Sequence, residues 1–303
     1  MPEPLTESAI AACPPAARAM LARYQADEIS AEIALMHLLL ATGTLPDLWE
    51  CLDRLGGTGH EPLQRLARLA AARGESLAGA ARLVEAGLTE ARGDDPLTAT
   101  REQYDRAVAA APEAAVALYS LGDPVTLERA TAELASLLVE WGVLGADRRT
   151  LDIGCGIGRI EQAIAGQLRH IIGIDLSPAM IAEARRRCAG LTNAAFCVCN
   201  GRDLSLFADR CFDLILAVDS FPCIVAVGSG IAARHFADAA RLLRPGGSLA
   251  IFNYSYRGDL ETDRAEIAAL AATAGLELLR NGTRDLTLWD GTSFLFRDPL
   301  RRG

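Results

Sequence analysis

The sequence predicts an α/β protein in which a largely parallel sheet, wound on both faces, follows an all-helical part. Three observations carry this. From Thr150 onward, apolar runs of strand length alternate with helical stretches, the pattern of repeated strand–helix–strand units. The first run, Thr150–Ile153, ends in the glycine turn Gly154-Cys155-Gly156-Ile157-Gly158, and a helix opens at Arg159. Such a turn leaves backbone N–H groups facing a space free of side chains, where a ligand can lie. Before residue 99, in contrast, the periodicity is helical only.

Residues 1–98 divide into short helices. Pro14-Pro15 leads into Ala16–Gln25, and Ser30 caps a second helix that runs through Met36, Leu39 and Leu40 to Gly43. Leu45–Leu55 is a third, stopped by Gly56-Gly57. Glu61–Arg73 and Ser76–Ala86 complete the set, with Leu63, Leu66 and Leu69 on one face of the former and Leu77, Ala80, Ala81 and Val84 on one face of the latter. No signature recurs at a fixed period, so a repeat array is excluded. Gly93-Asp94-Asp95-Pro96 marks a break. Residues 99–145 then form a bridge that holds Tyr104 in a helix, a turn at Leu118–Pro124 and a helix over Val125–Trp141. The predicted domains are 1–98 (helical), 99–145 (bridging, with Tyr104 and Tyr119 able to act as a lid) and 146–303 (sheet).

Within the last of these, strand one ends at Ile153 and its helix spans Arg159–Arg169. Strand two is Ile171–Asp175. Ser177-Pro178 supplies the N-cap and first-turn proline of Ala179–Cys188. Strands three and four are Ala195–Cys199 and Phe212–Val218. A helix over Gly230–Leu243, a turn at Arg244-Pro245-Gly246-Gly247 and strand five at Ser248–Asn253 follow, then a helix over Glu261–Ala274 closed by Gly275. Leu276–Arg280 and Ser293–Phe296 have no helix between them, so they pair as a hairpin and one runs antiparallel. The sheet then has seven strands, six parallel and one antiparallel.

Composition narrows the function. The 303 residues carry a net charge of −9, with 8 Arg against 14 acidic residues up to Thr98 and 22 against 25 beyond it. Neither part offers the basic face that phosphate neutralisation needs, which argues against a nucleic-acid partner. All 30 basic residues are arginine, so Schiff-base and lysine-base chemistry is excluded. No apolar run reaches membrane-span length, and the N-terminus lacks the basic start and apolar core of a signal peptide, so a soluble cytoplasmic protein is expected. The eight cysteines form no C-x-x-C and the four histidines are scattered, which predicts reduced core thiols and no metal site.

The turn spacing is G-x-G-x-G, not the G-x-G-x-x-G of a dinucleotide pyrophosphate loop, and Asp152 before it would repel a pyrophosphate but suits a ligand with an ammonium group. Together with the absence of a Tyr-x-x-x-Lys set, this sets aside a nicotinamide-dependent oxidoreductase. Leu151-Asp152-Ile153-Gly154-Cys155-Gly156-Ile157-Gly158 resembles the first motif of class I S-adenosylmethionine-dependent methyltransferases. Gly173-Ile174-Asp175-Leu176-Ser177-Pro178-Ala179-Met180 is similar to their second, and Phe212-Asp213-Leu214-Ile215 to their strand-four motif. The resemblance, over about Asp147–Arg297, implies the seven-stranded Rossmann-like methyltransferase sheet, S-adenosylmethionine as cofactor and S-adenosylhomocysteine as product.

It also implies roles for residues. Asp152, Gly154 and Gly156 would hold the methionine end of the cofactor, Asp175 both ribose hydroxyls, and Leu176 the adenine face. Arg202 by its backbone or Asp203 by its side chain stands where the family contacts the adenine amine, although Gly201 takes the place of the customary aspartate. Asp219 ends strand four beside the cofactor and is the candidate for a group near the methyl or the nucleophile. Tyr254 and Arg257 after strand five, with Tyr104 and Tyr119 from the bridge, are candidates for the acceptor side, Tyr254 also as a catalytic assistant and Arg257 as an anion anchor. Methyl transfer from a sulfonium is an in-line displacement that depends mainly on positioning. The expected function is methylation of a small molecule. A cofactor-binding interaction protein and a protein-directed methyltransferase are the alternatives. Residues 1–98 read either as a homodimerisation module or as a cap roofing the acceptor pocket.

Overall fold

The computed structural model describes residues 4–299; the extreme ends of the first and last predicted domains lie outside the described residues. The chain divides into two compact units, one of Met1–Ala91, Arg106–Ala130 and Thr287–Asp290, the other of Arg92–Asp105, Thr131–Leu286 and Gly291–Gly303. These limits differ from those read at residues 98 and 145. The dividing points fall inside two continuous helices, α6 (Pro96–Ala110) and α8 (Pro124–Glu140), where no turn residue marks them.

The first unit is built from α1 (Pro4–Ala11), α2 (Pro15–Gln25), α3 (Ala31–Thr42), α4 (Leu45–Gly56), α5 (Glu61–Glu85), the last turn of α6, α7 (Pro112–Val116) and the start of α8. Ser30 Oγ accepts from Ile33 N and Thr44 Oγ1 from Asp47 N, so α3 and α4 start on side-chain caps. Gly43 closes α3 in the left-handed conformation. The break expected after Arg73 is a kink at Gly74, whose φ of 45° and ψ of −116° interrupt α5. Leu21, Leu35, Leu39, Leu48, Leu55 and Leu63 are wholly buried and form its core. A loop from the end of the chain joins it: Trp289 stacks on Tyr119 with ring centroids 5.7 Å apart, and Ser30 Oγ donates to Leu288 O at 3.2 Å.

The second unit holds the sheet, with strands β1 (Gly145–Ile153), β2 (Leu168–Asp175), β3 (Ala194–Val198), β4 (Phe212–Val218), β5 (Leu243–Phe252), β6 (Glu277–Thr283) and β7 (Ser293–Arg297). Their order is β3-β2-β1-β4-β5-β7-β6, and β7 runs antiparallel to both its neighbours. The helices are α9 (Arg159–Ile164), α10 (Pro178–Arg187), α11 (Phe221–Val227), α12 (Ser229–Leu242) and α13 (Leu260–Ala274), with the start of α6 and the end of α8. Buried on both faces, β4 and β5 read as near-continuous apolar runs. The turn expected at Arg244–Gly247 is an irregularity inside β5: Leu243 pairs with Phe212 and Ser248 already with Leu214. The helix after β4 was not legible as such; α11 starts directly from the strand end with Pro222 in its first turn.

Candidate active site

The chain leaves β1 toward β2 and β3 on one side, while β4 and β5 lie on the other, so the sheet has its switch point between β1 and β4. In open parallel sheets a crevice opens there, at the carboxyl ends of the strands. The glycine turn occupies that place. Gly154, Gly156 and Gly158 have φ of 76°, 53° and 79°, a region that side chains disfavour. Gly154 N and Cys155 N both donate to Ile174 O, at 2.8 and 3.0 Å, which ties the turn to β2. A Cβ on Gly154 would lie 2.3 Å from Ser220 Cβ, and Ser220 Oγ donates to Ile153 O. What keeps this position bare is therefore the β4–α11 junction behind it.

Asp175, at the end of β2, turns back toward the glycines. Its Oδ2 accepts from Gly156 N at 3.0 Å and its Oδ1 from Ser177 N at 2.9 Å. Burial raises its pKa to about 6 against the pull of these amides. Leu176 lies beside Leu97 and Gly201: a Cβ on Gly201 would meet the Leu97 methyl at 2.9 Å and the Leu176 methyl at 3.1 Å. The two leucines form an apolar rest over a residue with φ of 67°.

Under the turn lie two buried acids. Asp152 on β1 is 1% exposed and Glu161 on α9 is 0% exposed, and no carboxylate oxygen of either has a hydrogen-bond partner. Burial raises the pKa of Asp152 to about 7 and that of Glu161 well above its ordinary value, and their mutual repulsion adds to the latter. Arg159 opposes both shifts, while its Nη1 donates to Thr131 Oγ1 at 2.9 Å. An unpaired buried carboxylate is costly, so this one marks a place for a cation or for a proton.

The other flank is made by side chains. Asp219, just past β4, and Asn253, just past β5, are non-glycine residues with φ of 57° and 65°. Asn253 Nδ2 donates to Asp219 Oδ1 at 2.9 Å. Strained backbone at two adjacent strand ends, held by each other's side chains, is the kind of outlier that collects at functional sites. Tyr256 brings its hydroxyl within hydrogen-bonding reach of Asp219, among Tyr104 and Cys223, while 67% of the residue stays open to solvent. Tyr104 from α6 meets Cys223 of α11 with Oη and Sγ 3.1 Å apart. The neighbouring Cys223 and then burial push the Tyr104 phenol well up; burial pushes Cys223 to about 11, and burial of its hydroxyl end alone pushes Tyr256 well up, with Asp219 acting in the same direction. All three are neutral donors at neutral pH. One residue on, Asp105 Oδ1 accepts from Ser177 Oγ and from Ala179 N at 3.1 Å, which anchors α6 to the start of α10.

The structure thus brings together Asp152, Gly154, Gly156, Asp175, Leu176, Asp219 and Tyr104 of the residues singled out in the sequence. It places others elsewhere. Tyr254 is fully buried, stacked on Phe221 at 5.9 Å and edge-on to Phe294 at 6.3 Å, whereas Tyr256 stays open to solvent: both lie past the end of β5, where strand alternation no longer sets their direction. Arg257 does not stand ready for an anion: it pairs with Asp263 at 2.8 Å and with Glu266, and its guanidinium lies over the Tyr254 ring. Tyr119 is 3% exposed within the helical unit. In the loop after β3, Asn200 Oδ1 takes the amides of Arg202 and Asp203, and Asp203 Oδ1 takes Ser205 N and Oγ. Both residues are used by the turn itself. Sequence reasoning assigned no role to Tyr256, Cys223, Asn253, Asp105 or Glu161, and no spacing in the sequence marks them out.

Comparison with known proteins matches the part of the chain that holds the glycine turn. Residues 150–247 match the family model of a methyltransferase domain. A demethylmenaquinone methyltransferase of Tropheryma whipplei is 37% identical over 111 residues, 37% of this chain and 44% of that protein. A 23S rRNA uracil-C5 methyltransferase of Aeromonas hydrophila is 35% identical over 83 residues, 26% of this chain and 19% of that protein. The chain thus spans less than half the length of either. Among solved structures, phosphoethanolamine N-methyltransferase 1 of Haemonchus contortus has the same fold, with a TM-score of 0.51 at 14% identity over 69% of this chain and 50% of that one. No described helix is long and apolar enough to cross a membrane.

Proposed function

Because residues 150–247 carry a methyltransferase domain of the class I, S-adenosylmethionine-dependent family, we propose that the chain methylates a small-molecule acceptor by in-line transfer. The observation that carries the reading is the match between the cofactor's chemistry and the β1–β2 flank. Asp175, held by Gly156 N, would accept the ribose hydroxyls, and Leu176 with Leu97 would carry the adenine face. Asp152, with neither oxygen partnered, would take the ammonium group. When bound, S-adenosylmethionine supplies an electrophilic methyl group on a sulfonium leaving group.

The β4–β5 flank then determines what the chain does with an acceptor. Asp219 is oriented by Asn253 and faces the Tyr256 hydroxyl, so a hydroxyl or amine acceptor entering beside it can pass its proton to the carboxylate. Tyr104 and Tyr256, both un-ionised, supply aromatic walls and hydroxyl donors that hold the acceptor in line. Asp219 and Asp175 are the charges that act on Cys223 between them, which favours a cationic or proton-donating acceptor over an anion. The chain's acidic balance disfavours a nucleic acid, so the acceptor is taken to be small.

Calorimetry with S-adenosylmethionine and S-adenosylhomocysteine tests the cofactor reading, and absence of binding by both sinks it. Incubation with methyl-labelled cofactor and pools of phenols, amines and carboxylic acids tests the acceptor reading. S-adenosylhomocysteine release is expected with phenols or amines; turnover of carboxylic acids alone would overturn that part.

A further inference from the structure

Far in sequence from the crevice, the helical unit contains a thiol pair that the methyltransferase reading leaves unused. Of the eight cysteines, Cys13 and Cys51 are the pair whose sulfurs touch: the Sγ atoms are 3.1 Å apart, 38 residues apart in the chain, and both residues are 1% exposed. Cys13 sits in the turn between α1 and α2, while Cys51 is fixed in the middle of α4. A disulfide holds its sulfurs about 2.05 Å apart, so bonding needs an approach of roughly one ångström.

The surroundings suit oxidation of this pair. Both thiols line a pocket of about 420 Å³ whose other walls include Arg18, Arg54, Asp47 and Glu50. Arg18 Nε donates to Cys13 O at 2.9 Å. The hydrogen bond from Cys51, with Arg54 and Arg18 nearby, lowers the Cys13 pKa, whereas the same contact raises that of Cys51. The contact makes Cys13 the more acidic of the two sulfurs, against its burial, and Cys51 the proton donor, the division of labour of an attacking and a resolving cysteine.

We propose that Cys13 and Cys51 are a redox site that takes hydrogen peroxide, or another small peroxide, and closes reversibly to a disulfide pinning the α1–α2 turn to α4. The Cys13 thiolate attacks one peroxide oxygen; an S–O bond forms, the O–O bond breaks, and hydroxide leaves to become water. Cys51 then attacks the Cys13 sulfur; the S–S bond forms, the S–O bond breaks, and hydroxide leaves with the Cys51 proton as a second water. Two thiols and one peroxide give one disulfide and two waters, with sulfur oxidised and oxygen reduced.

The test treats the full chain with a few equivalents of hydrogen peroxide, blocks remaining thiols with N-ethylmaleimide and maps non-reduced peptides by mass spectrometry. The expected result is a Cys13–Cys51 cross-linked peptide that forms at least about tenfold faster than any other cysteine is modified and is reversed by dithiothreitol. In Cys51→Ser the intermediate should accumulate, so dimedone should label Cys13. Full maleimide labelling of both residues after other thiols have oxidised would overturn the proposal, as would a cross-link from either to a different cysteine. Should the variant fail to fold, the wild-type peptide map decides by itself.

Discussion

The two flanks of the switch point are built by different means. On the β1–β2 flank the proposed cofactor contacts gather round one short contiguous glycine turn, whose amides are tied to β2 and to Asp175, nineteen residues away, through Gly156 N. On the β4–β5 flank they are side chains from three separate stretches, with Tyr104 on α6, Asp219 and Cys223 around the β4–α11 junction, and Asn253 and Tyr256 after β5. A flank built round such a turn constrains its sequence to glycines at fixed spacing. A site assembled from side chains can be remade for another acceptor by changing one loop.

Substitutions separate the flanks by kind of effect. The largest is expected at the turn. Gly154→Val puts a branched side chain at φ 76° and its Cβ 2.3 Å from Ser220, and should lose cofactor binding together with about 3 kcal/mol or more of stability. Adding Ser220→Gly should recover part of the stability, as read by thermal unfolding. Recovery of nothing would mean that the obstacle is not the β4–α11 junction. Next comes Asp219→Asn, which should lower kcat by about 10²–10³ while the dissociation constant of S-adenosylmethionine stays within about threefold. A large loss of cofactor affinity instead would move Asp219 to the other flank.

Asp175→Ala should weaken cofactor binding by about 2–3 kcal/mol, since charge-assisted ribose contacts and the brace on Gly156 go together. Calorimetry showing wild-type affinity would refute the ribose assignment. The buried acids add a pH dependence. The folded pKa of Asp152 is about 7 and that of Asp175 about 6, both above the unfolded value of 3.8. Groups raised in this way favour folding below about pH 4, and the contribution is lost as pH rises through 6 to 7. In the cofactor-free protein, Asp152→Asn should therefore gain stability relative to wild type between pH 5 and pH 8, on the order of a few kcal/mol. The same variant should bind S-adenosylmethionine less well at pH 8. A pH-independent difference in unfolding midpoint would show that Asp152 is not the group that titrates.

Most of the sheet was legible because parallel strands between helices carry redundant signals: apolar runs, a cap serine with proline at Ser177-Pro178, and glycines where φ must be positive. The limits of the units were not, because α6 and α8 continue through them without a break, and because Trp289 returns from the last hairpin to stack on Tyr119. The residues proposed for the cofactor flank were legible because they lie within or directly beside two contiguous motifs, the glycine turn and the β2 end. On the acceptor flank only Asp219 and Tyr104 were named. Tyr256, Cys223 and Asn253 become partners only after α11 and the β5 end have folded toward each other, and no spacing in the sequence announces that. The pairing of Cys13 with Cys51 is of this kind too: two helix-region thiols read as inert core until packing sets their sulfurs in contact.

The smallest effects are expected where the sequence pointed to acceptor residues and the structure shows packing. Arg257 is bound to Asp263 and Glu266 and covers the Tyr254 ring, with about a third of its side chain exposed. An ion pair at such a site contributes about 1 kcal/mol or less after screening. Arg257→Ala should thus cost about that much stability, and acceptor KM should stay within about twofold. Tyr254→Phe keeps the stacked ring against Phe221 and should behave likewise. Tyr256→Phe, two residues on, removes the hydroxyl that faces Asp219 and should change kcat by about tenfold with little change in stability. If Arg257→Ala raised acceptor KM by tenfold or more while Tyr256→Phe left turnover intact, the acceptor would enter on the α13 side of the loop. The acceptor flank would then have to be redrawn around that helix.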